Sequence, residues 1–447
     1  MCFTNNRLGN FYLNINYYVL YYEIIYNLKD YTLNKVIISQ NKHWESPYQN
    51  IYKREIFDKL VSNLDTKHIQ VLQGIRRGGK STLFKLLINH LSLECDPQEI
   101  LYLNLDDPFF IKYSNDATSF YEIIQTAKKL TQKEIKYLFL DEVQAIDGWE
   151  RYVKSVYDSE EFSKIFITGS NSSLLNGDLA RLLTGRYFNT QVYPLSFKEI
   201  LHINNIENYL QLNRELPKVL RIIDTMMLYG SFVEVFQLNK EHKRELLSTY
   251  YDTILLKDCV SNNHIRDIKS FRELSFYALT NLTSLHSYAS LAKAIGINDK
   301  SAKEYISYLE DSYLFSELKL FSYSLKEQQN NKKKLYLCDN GFMNLGYNFS
   351  SNNGKLLENL VFTELQKEKY EIYFYNKDRE CDFIAKKENK TIAIQVCYEL
   401  NERNQKRELN GLIKLPFTVD EKVIITYNQS QTIEEIEVKS FWDYFFA

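Results

Sequence analysis

A chain of 447 residues is too long for one compact core, so two to four domains are expected. A net charge of −2 and a pI near 6.4 exclude a protein-wide basic field, so any nucleic-acid contact has to come from a local patch. The six cysteines form no CxxC pair and no Cys/His cluster, which argues against a zinc site or a disulfide framework and for reduced cytoplasmic thiols.

Residues 11–27 are the most apolar stretch, but Asn14, Asn16 and Glu23 interrupt it and no small-residue cleavage site follows. Neither a membrane span nor a signal peptide is expected there, and residues 1–47 read as an N-terminal extension of uncertain structure. From residue 68 onward, short apolar runs alternate with amphipathic stretches. Strands are predicted at 68–73, 99–105, 136–140 and 164–168, and helices at 79–91, near 118–130 and near 149–158. That alternation predicts an α/β domain over 48–201, a parallel sheet with helices on both faces. Residues 202–281 read as a helical lid or connector. Two helices and two strands, the latter at KLFSYSL and KLYLCD, make 282–345 a winged-helix pattern. A helix and four strands make 346–447 a small α/β domain.

Residues 74–82, GIRRGGKST, follow an apolar strand and open a helix. Gly74, Gly79, Lys80 and Ser81 satisfy the phosphate-loop spacing GxxxxGK[ST], and Gly78 and Thr82 lie within the same loop. The glycines let backbone N–H groups turn toward phosphates, and the helix N-terminus favours negative charge. Lys80 would reach the β- and γ-phosphates of ATP, and the Ser81 hydroxyl would ligate Mg2+. Arg76 and Arg77, inside the loop, either add charge near the phosphates or face solvent. An acidic pair ends a later strand in YLFLDEVQ: Asp141 would hold Mg2+ and Glu142 would polarise the attacking water. KIFITGSNSS can bring Ser170 or Asn171 beside the γ-phosphate. Arg181 and Arg186 could stabilise the transferring phosphoryl group in cis or across a subunit boundary, or could be ordinary surface side chains.

GIRRGGKSTL, LFLDEVQAIDGWE, ITGSNSSLL, LTGRY and PLSFKEI, in this order, resemble prokaryotic AAA-superfamily ATPases with a C-terminal domain of unknown function 4143. The resemblance covers about residues 48–447. It implies a P-loop ATPase with sensor and arginine residues at the positions above.

In the C-terminal block, Glu358, Asp382 and Gln395 resemble the core of PD-(D/E)xK nucleases, whose carboxylates bind a metal while a lysine orients water. The decisive triplet here is Gln395-Val396-Cys397, so one ligand is weakened and the ammonium is missing. Lys387 or Lys406 could substitute. The favoured reading is a nuclease-like scaffold retained for binding or docking; the plain alternative is salt bridges from Glu358 and Asp382, with Arg407 as a partner. In the winged-helix pattern, Lys326, Lys332, Lys333 and Lys334 form an expected wing tip that either touches DNA phosphates or is solvated.

Three functions stand at this level. The first is a Mg2+-dependent ATPase that repositions its winged-helix and C-terminal domains, on DNA or against a protein partner. The second is an ATP-regulated nuclease, and the third a nucleotide-binding switch with little turnover. Self-association is left open.

Overall fold

The computed structural model describes residues 32–175, 181–346 and 352–446; the apolar stretch at 11–27 lies outside them. Five strands form the first sheet: β1 (Ile69–Gln73), β2 (Ile100–Asn104), β3 (Tyr137–Asp141), β4 (Lys164–Gly169) and β5 (Tyr187–Gln191). Their order is β2-β3-β4-β1-β5, with the β2–β3 and β3–β4 ladders parallel. Helices Lys80–Leu91, Ser119–Thr131 and Trp149–Asp158 connect them, each where the apolar spacing predicts it. This is the expected α/β architecture of a P-loop domain. β1 and β4 are buried along their whole length, which is why they read as continuous apolar runs. Phe139 stacks on Phe166 at 4.1 Å, and Phe84 meets Phe139 edge-on at 5.0 Å. β5 is missed by sequence reading, because YFNTQ is mostly polar and largely exposed.

β2 is an outer strand, with backbone groups that need partners. Residues just before the predicted domain supply them with side chains. Gln40 closes the helix Leu33–Gln40, and its Oε1 accepts from the Asn104 amide at 2.8 Å. Asn41 Oδ1 accepts from the Tyr102 amide at 2.7 Å, while its Nδ2 donates to the Tyr102 carbonyl at 3.0 Å. Trp44 Nε1 donates to the Ile100 carbonyl at 2.9 Å. His43 Nε2 lies 3.0 Å from the same oxygen, and burial pulls its pKa down to about 4, so the ring is a neutral donor. Among the described residues no strand pairs with this edge, and four side chains stand in for one, so residues 33–44 are an integral part of it.

The described residues divide into two compact units. The first holds the chain up to Leu72 with Ser81–Gly169 and Leu174–Thr190; the second holds Gln73–Lys80, Ser170–Ser173 and everything from Gln191 onward. In the second, helices occupy most of 197–280. A three-stranded antiparallel sheet follows, ordered β6-β8-β7: β6 (Leu285–His286), β7 (Phe315–Leu318) and β8 (Lys333–Leu337). Helices Tyr288–Ile295 and Asp299–Asp311 lie between β6 and β7, as their spacing predicts.

The expected wing differs. The pattern predicts a strand at 319–325, but β7 ends at Leu318 and a helix runs Leu325–Asn330. Lys333 and Lys334 are not tip residues. They lie in β8, 9% and 3% exposed, because acidic partners await them: Lys333 sits 3.8 Å from Glu317 and over the Tyr288 ring. Only Lys326 and Lys332 of the four remain exposed.

The C-terminal sheet is mixed. Its strands are β9 (Glu371–Asn376), β10 (Glu380–Lys387), β11 (Lys390–Cys397), β12 (Glu421–Thr426), β13 (Gln431–Ile433) and β14 (Ile436–Ser440), ordered β13-β14-β12-β11-β10-β9. Asn359, fully buried on the helix Asn353–Lys367, exchanges hydrogen bonds with both backbone groups of Leu337, joining β8 to this domain.

Asn41→Ala would leave the buried Tyr102 amide and carbonyl without these partners. The expected loss is about 1–3 kcal/mol of stability, read from urea unfolding. A change within about 0.5 kcal/mol would show that the edge does not depend on this side chain.

Candidate functional site

The phosphate loop joins β1 to the helix Lys80–Leu91. Gly74 has φ 150°, and a Cβ there would meet the Val192 carbonyl oxygen at 2.0 Å, so only glycine fits. Gly79 has φ 102°, again a glycine conformation. Lys80 is buried, and its ammonium donates to the carbonyls of Gly74 and Ile75 at 3.0 and 3.2 Å, stretched across the loop. Ser81 and Thr82 stand in the first helical turn.

Asp141 ends β3 and is 2% exposed. Its carboxylate accepts from Thr168 Oγ1 and from the Tyr102 hydroxyl at 2.7 Å, and the Ser81 hydroxyl lies beside it. Burial raises its pKa, and the neighbouring Glu142 charge adds to that; the three hydroxyls oppose it. The two residues named for Mg2+, Ser81 and Asp141, are therefore neighbours. Thr168 also accepts from the Glu142 amide at 2.9 Å, and Gln144 donates to the Glu142 carboxylate at 2.5 Å. Glu142 itself takes a left-handed backbone, φ 56°, at the strand-to-loop corner. Sequence reading missed Tyr102 and Thr168. Strand register alone could have flagged them, since each lies on a strand flanking β3.

The polar residues after β4 are engaged elsewhere. Ser170 Oγ donates to Asp258 Oδ1 at 2.9 Å, and Asn171 Nδ2 to the Asp258 carbonyl at 3.3 Å. Arg76 does not face solvent: it grips the same carboxylate with two nitrogens, at 2.9 and 3.0 Å. Arg77, with φ 67°, lies 3.4 Å from Glu234 and over the Tyr250 ring. Arg186 pairs with Asp158 at 3.4 Å and covers Tyr157, a partly exposed arrangement. Arg181 is exposed.

In the C-terminal domain Glu358, Asp382 and Gln395 do converge. A register shift in β10 between Cys381 and Ile384 sits at Asp382, where it can re-aim the side chain. Asp382 accepts from the Val396 amide at 2.9 Å, and Gln395 spans from the Asp382 amide to the Glu408 carboxylate. The ammonium thought missing is supplied by Lys334 of β8. Its Nζ lies 3.7 Å from Glu358, 3.8 Å from Asp382 and 3.4 Å from Glu380. The expected partner Arg407 instead binds Glu408 at 2.5 Å, and Lys387 sits over the Tyr370 ring. Lys334 thus occupies the space between the carboxylates that a metal would need. Burial lowers its pKa, but the three carboxylates outweigh that and raise it. Asp382 is pushed up to about 8, first by burial and then by Glu358, so the carboxylate pair keeps a proton while Lys334 stays charged.

Three family models match the chain. An AAA domain matches residues 66–201, a domain of unknown function (DUF8612) matches 220–352, and another (DUF4143) matches 353–444. An uncharacterized protein of Methanocaldococcus jannaschii, MJ1544, is 35% identical over 88% of this chain and 90% of its own length. The chain belongs to this AAA-domain family with a C-terminal domain of unknown function 4143. A second family member, an uncharacterized protein of Haemophilus influenzae, is 30% identical over 87% of this chain and 96% of its own. Two solved structures match more distantly. PCH-2 of C. elegans shares 12% identity over 60% of this chain and 72% of its own, with a TM-score of 0.27. Cdc6p of Pyrobaculum aerophilum shares 11% over 72% and 98%, with a TM-score of 0.29. No helix among the described residues is long and apolar enough to cross a membrane.

Because the folded pKa of Asp382 lies above its ordinary value of 3.8, the stability it lends is full below that value and is lost as pH rises through about 8. Unfolding free energy should therefore decline across that window, and Asp382→Asn should flatten the decline. Equal slopes in both proteins, from urea titrations at fixed pH, would place the proton elsewhere.

Proposed function

We propose that this AAA-family chain binds ATP with Mg2+ and hydrolyses it. One observation carries the reading: the buried strand-end carboxylate of Asp141, held by Tyr102 and Thr168, lies beside the Ser81 hydroxyl in the first helical turn after the phosphate loop. This hard-oxygen pair suits Mg2+, and Tyr102 and Thr168 hold it in place. The bound cation would neutralise phosphate charge. The loop amides and Lys80 would bind the β- and γ-phosphates, and Glu142 would take the proton of the attacking water.

The finer reading is that nucleotide state moves the 282–345 region, in which the helix and strand order supports a winged helix, and the C-terminal domain. DNA is a weaker candidate partner than the lysine run implies, since Lys333 and Lys334 are spent on Glu317, Glu358, Glu380 and Asp382. Lys326 and Lys332 remain for phosphate contact. The Lys334 ammonium among the carboxylates favours a docking scaffold over a nuclease.

Steady-state ATP hydrolysis with Mg2+, with and without duplex DNA, is the test. Glu142→Gln should lower turnover by about 100- to 10,000-fold while nucleotide still binds. Unchanged turnover in that variant would remove Glu142 from the mechanism. A rate insensitive to DNA would point to a protein partner.

A further inference from the structure

The hydrolysis mechanism does not use the double arginine of the phosphate loop. Both arginines are anchored to the helical region that follows the ATPase domain. Arg77 reaches Glu234 and Tyr250, and Arg76 grips Asp258. Asp258 sits on a π-helix, Ile254–Ser261, and is 2% exposed. π-helical turns are rare and are found frequently at functional sites.

Asp258 binds two loops at once. Its Oδ2 accepts from Arg76 Nε and its Oδ1 from Arg76 Nη2, a bidentate pair. The same Oδ1 accepts from Ser170 Oγ, and the Asp258 carbonyl accepts from Asn171 Nδ2. Gln73 Nε2, at the mouth of the phosphate loop, donates to the Asn171 carbonyl at 3.3 Å. Next along the chain, Ser172 Oγ donates to Asp311 at 2.6 Å, at the end of the helix Asp299–Asp311. The phosphate loop and the loop after β4 therefore share one carboxylate. Both loops also group with the helical and C-terminal residues as one compact unit.

We propose that Asp258 is a positioning residue that relays the state of the nucleotide from these two loops to the π-helix Ile254–Ser261. The proposal rests on the nucleotide-site reading above. A phosphate seated on the loop draws on the amides flanking Arg76. Any shift of that backbone changes the angle of a rigid guanidinium fork, and a bidentate pair tolerates little misalignment. Ser170, on the same oxygen, couples the second loop to the same response. The helix that receives the change carries Cys259, whose thiol reaches the Tyr308 carbonyl of the helix Asp299–Asp311. The path thus runs through contiguous hydrogen-bonded groups to the region that carries the three-stranded sheet.

The experiment is hydrogen–deuterium exchange on the full chain, with and without Mg2+ and a non-hydrolysable ATP analogue, read at the amides of 254–261. Affinity for the analogue is measured in parallel. In the native protein the analogue should slow exchange there by about fivefold or more. Asp258→Asn and Ser170→Ala should bind the analogue within about fivefold of native and lose that response. A purely structural role would weaken binding or unfold the chain instead of separating the two readouts. Should Asp258→Asn fail to fold, Ser170→Ala and Arg76→Lys carry the test; Arg76→Lys keeps the charge but loses the fork. A native protein that binds the analogue without slowed exchange at 254–261 overturns the relay, as does an unchanged response in the variants. No binding by the native protein overturns the nucleotide-site reading and the relay with it, and the affinity measurement identifies that case.

Discussion

A carboxylate taken out of water has to be satisfied, and this chain buries several at its working points. Each is met by a different chemistry. Asp141 is met by three hydroxyls, Asp258 by a guanidinium and a serine, and the Glu358–Asp382 pair by an ammonium. Asp339, also buried, is met by the Ser231 amide and hydroxyl and the Gly341 amide. The choice of partner decides what each carboxylate can do. Neutral hydroxyls leave Asp141 able to attract a divalent cation. A fixed cation removes that capacity from Asp382 and Glu358.

That difference gives the C-terminal domain its character. The sequence departs from a nuclease core where Gln395 stands for an acid, and the fold goes further. A lysine from β8, outside the domain's own six-stranded sheet, enters between the remaining acids. Removing one partner of such a buried pair costs about 3–5 kcal/mol, so the arrangement constrains β8 and β10 together. Asn359 joins the same strand β8 to the helix Asn353–Lys367. The three-stranded sheet and the C-terminal domain are thus tied by polar contacts that tolerate little sliding.

The sheet edge follows the same logic with neutral groups. Gln40, Asn41, His43 and Trp44 satisfy β2 on the edge where no strand among the described residues pairs with it. Their pattern has no periodicity to read, because each answers a particular carbonyl or amide already placed by the sheet. The exposed strand β5 escaped notice for the related reason that its alternation is mostly polar.

The parts legible in the chain by itself were local. Strands β1 to β4, the helices between them, the phosphate-loop glycines and the acidic pair after β3 follow from period, turn chemistry and spacing within about ten residues. These depend on neighbours in sequence, so the sequence carries them. Tyr102 and Thr168 around Asp141, Arg76 with Asp258 182 residues away, and Lys334 between Glu358 and Asp382 do not. A lysine run reads the same whether it is solvated or buried against acids. Only the tertiary structure decided between these, because the energy of a buried charge depends on which groups the fold brings to it and not on which residues precede it.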